Sequence, residues 1–376
     1  MAIRALKKNG TSLIDVRNRV THVSEAKAKA VVRETHVRLR LPRAGRPVCS
    51  LSMMNPGKEL ALVVVGSANA DIYVEVERVP KEGETIAARS GHTLPGGKGA
   101  NQAASAARLS HPTFFIGQVG NDAHGMLLKD ALSSCHVHLD YLNTVAAPTG
   151  HAVVMLQPAG QNSIIIVGGA NVYWPTLEDG ISPLSTTAQE AIRQAGIVLL
   201  QREVPDSLNL EVAKIARNAH VPVILDAGGM EGPIPEDLLK FVDIFSPNET
   251  ELARITGAST DTIDQVIEAA RKCHELGVIQ VLVKLGAQGS VLVAEGSPPI
   301  IQAAIPTPVV VDTTGAGDTF TAAFAVALVQ GQSAADSLRF AAAAASLCVQ
   351  IKGAIPSMPD RAAVLELLRS VYPSAD

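Results

Sequence analysis

The stretch "ALVVVGSANADIYVEVERV", residues 61–79, places two kinds of strand back to back. "ALVVVGS" (61–67) is apolar without alternation and stops at a glycine, the pattern of a strand covered on both faces. "DIYVEVERV" (71–79) alternates apolar and polar, the pattern of a strand open to water on one face. One short chain segment therefore leaves a buried sheet and enters a half-exposed one. Further along, "TFFIGQVG" (113–120), "IVLLQ" (197–201), "VPVILDAGG" (221–229), "VDIFSPN" (242–248), "QVLVKLG" (280–286) and "SVLVAEG" (290–296) repeat the first kind. Helical segments separate most of them, among them "KGANQAASAARLS" (98–110), "SLNLEVAKIARNA" and "TIDQVIEAARKCHELG". Two Ala-rich helices are expected near 316–330 and 334–350, and a last one near 360–371. Apolar strands alternating with helices predict an α/β fold, a doubly wound, mostly parallel sheet sandwiched by helices. The second kind recurs in "GETIAARSGHTLPGG" and in the hairpin "HAVVMLQPAGQNSIIIVGG" (151–169), whose turn is "PAGQN". These half-polar strands predict a small antiparallel β lid, about 70–96 and 150–168.

Composition agrees with that architecture. The 376 residues are 47% apolar but only 3% aromatic, so the core is built from Ala, Val, Leu and Ile. No apolar run reaches the roughly 18 residues a membrane span needs, and no membrane association is expected. Charge is uneven. Residues 1–50 hold twelve Lys or Arg and three Asp or Glu, a net +9; the whole chain is −4, which leaves −13 for the rest. A basic, acid-poor leader over residues 1–54 reads as an organellar transit peptide; a plastid (chloroplast) destination over a mitochondrion is implied only by the resemblance described below. The alternative is an upstream extension that is never used, which would leave a cytoplasmic protein. A nucleic-acid arm is disfavoured, because the leader has no Phe, Tyr or Trp to stack on bases. The second domain then covers 60–373. The four cysteines, Cys49, Cys135, Cys273 and Cys348, are far apart and form neither a disulfide framework nor a zinc motif. His136 and His138 in "CHVH" would share one side of a local strand, with an ordinary surface role favoured over a metal site.

Ligands of a doubly wound sheet sit beyond the carboxyl ends of its strands. "GSANAD" (66–71) leaves the first strand there, and Asn69 and Asp71 can bond hydroxyls or simply form a turn. "PGGKGANQ" (95–102) brings backbone N–H groups toward a ligand before a helix, with Lys98 and Asn101 as side-chain partners. Glu203 follows "IVLLQ" into the same cleft or into a solvated loop. Asn248 and Glu251 in "PNETE" stand three apart. They can hold a hydrated Mg²⁺ near a phosphate chain, or form a helix cap. "VKLGAQGS" (283–290) offers a glycine turn along a nucleotide. In "DTTGAGDTF" (312–320) a helix is expected to start near Ala316. Its free N–H groups and dipole favour an anion, Gly315 and Gly317 admit a close phosphoryl group, and Asp318 can take a hydroxyl proton. Neither a P-loop nor the protein-kinase motifs occur.

These segments, "GSANAD", "GGKGANQ", "SPNETE", "KLGAQGS", "DTTGAGDTF" and the late "KGAIPSMP", stand in the order found in ribokinases. The chain from about 60 to 372 resembles the ribokinase-like family of carbohydrate and nucleoside kinases, and "GGKGANQ" with "NAD" upstream resembles its ribokinase branch. The resemblance implies ATP-dependent phosphorylation of D-ribose at the 5-hydroxyl. Asn69, Asp71, Gly97, Lys98, Gly99, Asn101 and Glu203 would bind the sugar. Asp318 would be the base, and Gly315, Ala316 and Gly317 the anion hole. Asn248, Lys284, Leu285, Gly286, Ala287, Gln288, Gly289 and Gly317 would meet ATP, with Asn248 and Glu251 in the Mg²⁺ region. The family's activating monovalent cation, K⁺, would match Asp312, Thr314, Cys348, Ile351, Gly353 and Ser357. The lid would close over the sugar and form a homodimer contact.

Three positions depart from the common pattern. "DAG" (226–228) stands where bacterial ribokinases often have Asn-Pro-Ala, Lys284 where Thr is common, and Ile351 where Arg is frequent. None is expected to touch the base or the sugar-binding set, and nucleotide preference is what they leave open. Other readings are a kinase for deoxyribose, fructose or adenosine, and a non-catalytic sugar sensor. The intact glycines and Asp318 argue against the sensor.

Overall fold

The computed structural model describes residues 60–158, 161–175, 182–230 and 232–373. The leader assigned to 1–54 lies outside the described residues, as does the centre of the "PAGQN" turn.

Among the described residues, nine strands make one sheet. They are β1 (Leu62–Val65), β4 (Thr113–Gly120), β5 (His138–Val145), β8 (Ile197–Arg202), β9 (Val223–Gly229), β10 (Ile244–Ser246), β11 (Gln280–Lys284), β12 (Ser290–Ala294) and β13 (Ile300–Gln302). Their order is β13-β12-β11-β10-β9-β8-β1-β4-β5. Every pair from β5 to β11 is parallel, and β12 and β13 close one edge antiparallel. Alternate side chains of each central strand enter opposite layers. In β1, Leu62 and Val64 face one layer and Val63 and Val65 the other; in β8, Ile197 and Leu199 oppose Val198 and Leu200. That two-sided burial is why these strands read as unbroken apolar runs.

The first layer is made by α1 (Lys98–Arg108), α2 (Ala123–Ser134), α8 (Ala316–Val329), α9 (Ala334–Cys348) and α10 (Arg361–Val371). The second holds α3 (Thr186–Arg193), α4 (Asp206–Asn218), α5 (Glu236–Leu239), α6 (Glu249–Thr256) and α7 (Ile263–Glu275). Helix α8 is buried at every residue from Asp318 to Val329. Such a helix has no amphipathic stripe, because it is surrounded on all sides.

The second sheet has four strands in the order β3-β2-β6-β7, with β2 (Asn69–Glu75), β3 (Ser90–Gly96), β6 (Gly150–Leu156) and β7 (Asn162–Val167). It is mixed, since β2 pairs parallel with β6. Its own core is small: Tyr73, Ala152 and Val154, with Leu94 and Leu156 against them. Ile164, Ile165 and Ile166 are each more than half exposed. Only residues 66–68 separate β1 from β2, so the polar residues there sit where the two sheets meet.

Two strands escape the apolar-run pattern. Edge strand β5 has mostly half-exposed side chains, and β13 is three residues long. The "CHVH" expectation fails locally. His136 takes a left-handed turn (φ 65°) and His138 starts β5, so the two do not share a strand face. Among the described residues no cluster of three or more His, Cys, Asp or Glu is poised for a metal. The strand expected through "GETIAARS" begins only at Ser90, after an exposed turn at Gly83. No described helix is long and apolar enough to cross a membrane.

Candidate active site

Four parallel strands deliver polar residues at their carboxyl ends: β1 leads to Ser67 and Asn69, β8 to Glu203, β10 to Asn248, and β11 ends on Lys284, while β9 carries Asp226 at its middle. The start of α1 closes over them. Gly99 lies so close to β1 that a Cβ there would meet Ser67 N at 2.6 Å, which only glycine allows. Gly97 takes φ 89° beside the backbone N of Asn69.

The half of the cleft at the β1 and β8 exits is tightly bonded. Glu203 Oε2 accepts from Ser67 Oγ (2.5 Å), from Lys98 N (3.0 Å) and from Asn69 Nδ2 (3.4 Å). Asn171 fixes Asn69 by donating to its Oδ1 at 2.6 Å, and it accepts from Ala68 N at 2.9 Å. Asp71 faces the same space. Burial, then Glu203 and Asp318, push its carboxyl up to about 7.

Asp318 stands in the first turn of α8 and is 6% exposed. Asn101 Nδ2 donates to its Oδ2 at 2.9 Å and Gln102 Nε2 to its Oδ1 at 3.3 Å. Asn101 Oδ1 is buried without a protein partner, an acceptor available to a ligand hydroxyl. Burial raises the proton affinity of Asp318, Lys98 opposes that, and Asp226 adds to it. Asp318 in turn is the main reason the Lys98 ammonium is held charged above its ordinary range. Gly228 leaves room for that ammonium, since a Cβ there would meet Lys98 Nζ at 2.6 Å.

At the start of α8, Gly315 is the left-handed N-cap (φ 78°) and offers no capping side chain, while Ala316 N already donates to the Thr313 carbonyl at 3.2 Å. Gly317 has open space above it; a Cβ would first meet Lys284 Cδ at 3.9 Å. Nothing in the protein requires glycine there, so the space fits an incoming anion. Asn248 and Glu251 form a reciprocal capping box, each accepting the other's backbone N–H at 2.8 Å. The cap half of the sequence expectation is therefore realised. Asn248 also bridges to Lys284, which brings "PNETE" beside the 284–289 turn. Asp312 accepts from Thr314 N (2.9 Å) and Gly353 N (2.8 Å), which hold its carboxyl below the usual range against the effect of burial. Cys348 Sγ lies 3.1 Å from Ser357 Oγ and 4.0 Å from the Thr314 carbonyl. Asp312, Thr314, Cys348, Gly353 and Ser357 thus meet beside the start of α8. The Ile351 side chain is 52% exposed, which leaves its backbone for any role there.

The structure corrects one expectation about the departures. Lys284 Nζ pairs with Asp226 Oδ2 at 2.5 Å, and that oxygen also accepts from Thr321 (3.2 Å) and Gln102 (3.5 Å). Through Gln102 the pair touches the Asp318 carboxylate, and through Gly228 it adjoins Lys98. These positions are therefore next to Asp318 and Lys98, residues that the resemblance gives to the base and the sugar side. Sequence reasoning also missed Ser67, Gln102, Asn171 and Gln201, the last donating to Gln102 at 2.7 Å. Ser67 and Gln102 lie inside the quoted motifs and were open to notice. Asn171 and Gln201 carry no local signal.

Comparison with known proteins adds a family. Residues 60–361 match the model of the pfkB family of carbohydrate kinases. A protein named ribokinase from Arabidopsis thaliana is 64% identical over 312 residues, covering 82% of this chain and 81% of that one. Ribokinase from Bacillus subtilis is 36% identical, covering 82% and 99%. The solved structure of Arabidopsis thaliana ribokinase complexed with ribose and ATP superimposes with a TM-score of 0.79, at 64% identity over 83% of this chain and 99% of that one.

Proposed function

The chain belongs to the pfkB family of carbohydrate kinases, and we propose that it transfers the γ-phosphoryl group of ATP to the 5-hydroxyl of D-ribose. The observation that carries this reading is the setting of Asp318. A buried carboxylate, aligned by Asn101 and Gln102, stands in the first turn of α8, whose start has no capping side chain.

The roles follow from that setting. Glu203 Oε2 is saturated by protein donors, so Oε1 is the atom left for a sugar hydroxyl. Asn69, Asp71, Lys98, Asn101 and the backbone at Gly97 and Gly99 complete the sugar side. As the 5-oxygen attacks, its proton passes to Asp318, the new P–O bond forms, the bond to the β-phosphate breaks, and ADP leaves. Burial makes Asp318 a stronger proton acceptor, and the first N–H groups of α8 receive the charge spread over the transferring group. Excluding water keeps hydrolysis from competing.

Mg²⁺ bound with the nucleotide supplies charge neutralisation for the phosphates, and Glu251 Oε1, free of the cap, with Asn248 would face it. K⁺ would be held by Asp312, Thr314, Cys348, Ile351, Gly353 and Ser357. Asp312 already spans the loops at 314 and 353, so a cation there would stiffen the anion hole. The small sheet acts as a lid, and the exposed Ile164–Ile166 edge is the surface for a homodimer. The basic leader directs the chain to a plastid.

The test is ADP release with Mg²⁺ and K⁺ across D-ribose, 2-deoxyribose, fructose and adenosine, repeated with Na⁺ for K⁺. Turnover on ribose that falls without K⁺ supports the whole reading. Turnover on another acceptor alone keeps the kinase and overturns the sugar. Unchanged rates in Na⁺ remove the cation site. A leader–fluorescent-protein fusion that stays outside plastids removes the destination, and a monomer in sedimentation removes the dimer.

A further inference from the structure

Asp226 and Lys284 lie 58 residues apart in sequence and meet at 2.5 Å, with side chains only 2% and 13% exposed. A buried ion pair is a weak device for stability, because desolvating both ions offsets most of their attraction. Its position gives it another use. The Lys284 stem runs past the open space over Gly317, where an anion fits. Its ammonium nevertheless rests on Asp226, away from that space. Gln102 Nε2 reaches both carboxylates, Asp226 at 3.5 Å and Asp318 at 3.3 Å, so the two acids are neighbours in one buried network. Lys98 and Lys284 both act on Asp318 and on Asp226. With Asp226 uncharged, Asp318 becomes the carboxylate left for the Lys284 ammonium. A base covered by an ammonium has lost the lone pair that a hydroxyl proton needs. The lysine stem is flexible and carries a compact charge, so it can change partner without a backbone movement.

We propose that Asp226 is a positioning residue for phosphoryl transfer: it parks the Lys284 ammonium beside the anion hole and off Asp318 until the polyphosphate of the nucleotide draws it over. This rests on the kinase reading above.

The experiment compares Asp226→Asn, Asp226→Asn/Lys284→Met and the unmodified full chain, with kcat and ATP KM measured at saturating ribose. In Asp226→Asn the amide oxygen can still accept from Gly228 N, but nothing parks the ammonium. The expected result is a kcat lowered about 100-fold, within the range a general base contributes, and an ATP KM that does not rise. In the double variant no ammonium remains to cover Asp318. Its kcat is expected to recover at least about tenfold over Asp226→Asn, while its ATP KM rises. A purely structural role for the pair would move kcat and stability together and give no such recovery. A kcat for Asp226→Asn within about twofold of the unmodified protein overturns the proposal, as does a double variant no faster than the single. Should Asp226→Asn not fold, the double variant, which buries no unpaired ion, decides alone. A kcat within about tenfold of the unmodified protein with raised ATP KM supports parking, and a kcat as low as that of Asp318→Asn overturns it. Silence of the unmodified protein on every acceptor overturns the kinase reading, and parking with it; a working unmodified enzyme with an unaffected Asp226→Asn overturns parking alone.

Discussion

The half of the cleft at the β1 and β8 exits and the half at the start of α8 are built on opposite plans. In the first, side chains bond one another before any ligand arrives: Ser67, Asn69, Lys98 and Asn171 converge on Glu203 and on the 67–69 backbone. In the second, the space over Gly317 is clear and the helix-end N–H groups have no capping side chain. On the proposed reading the first half would discriminate among neutral hydroxyls, which takes several fixed partners, and the second would take in charge, which takes open donors and little side chain.

Asp318 belongs to both halves, and its loss tests the division hardest. Asp318→Asn is expected to lower kcat about 10³-fold while ribose still binds by calorimetry. Full activity would remove the base assignment. Next, Gly317→Ala places a methyl in a space the protein leaves clear. Folding should be intact and kcat should fall about 100-fold, with ribose affinity unchanged; a normal kcat would show that the space is not used.

Asp71 sharpens the comparison through pH. Its folded value of about 7 lies above an ordinary carboxyl, so the stabilisation it gives is full at low pH and is lost as pH rises toward and through 7. The unliganded protein should lose about 2 kcal/mol from this group between pH 5 and pH 8, in denaturant titrations. Asp71→Asn should flatten that slope, and an unchanged slope would assign it elsewhere. The smallest effect belongs to Ser67→Ala, which leaves Glu203 with one donor fewer. Ribose KM should rise about tenfold and ATP KM should not, and equal changes in both would contradict two separate halves.

Much of this was legible in sequence because each half uses contiguous segments. The "NAD", "GGKGAN" and "DTTGAGD" runs sit at strand exits and helix starts, and the apolar runs announced the parallel sheet. The illegible parts are pairings at long range. Asn171 reaches Asn69 across 102 residues and Lys284 reaches Asp226 across 58, with no periodicity to mark either. Gln102 was in view but has meaning only once Asp226 is beside it. Strand β5 escaped because an edge strand has one partner and half-exposed side chains, so its pattern is diluted.

Helix α8 has a consequence of its own. Twelve consecutive residues, from Asp318 in the first turn to Val329, are buried, so the donors at its tip stand on a helix enclosed by the core. Every adjustment in a catalytic cycle must then come from the surrounding loops and the small sheet. Amide hydrogen exchange should report this as a sharp step. Protection should be deep from Thr319 onward and absent at the tip, and a bound anion should extend it by only a few residues.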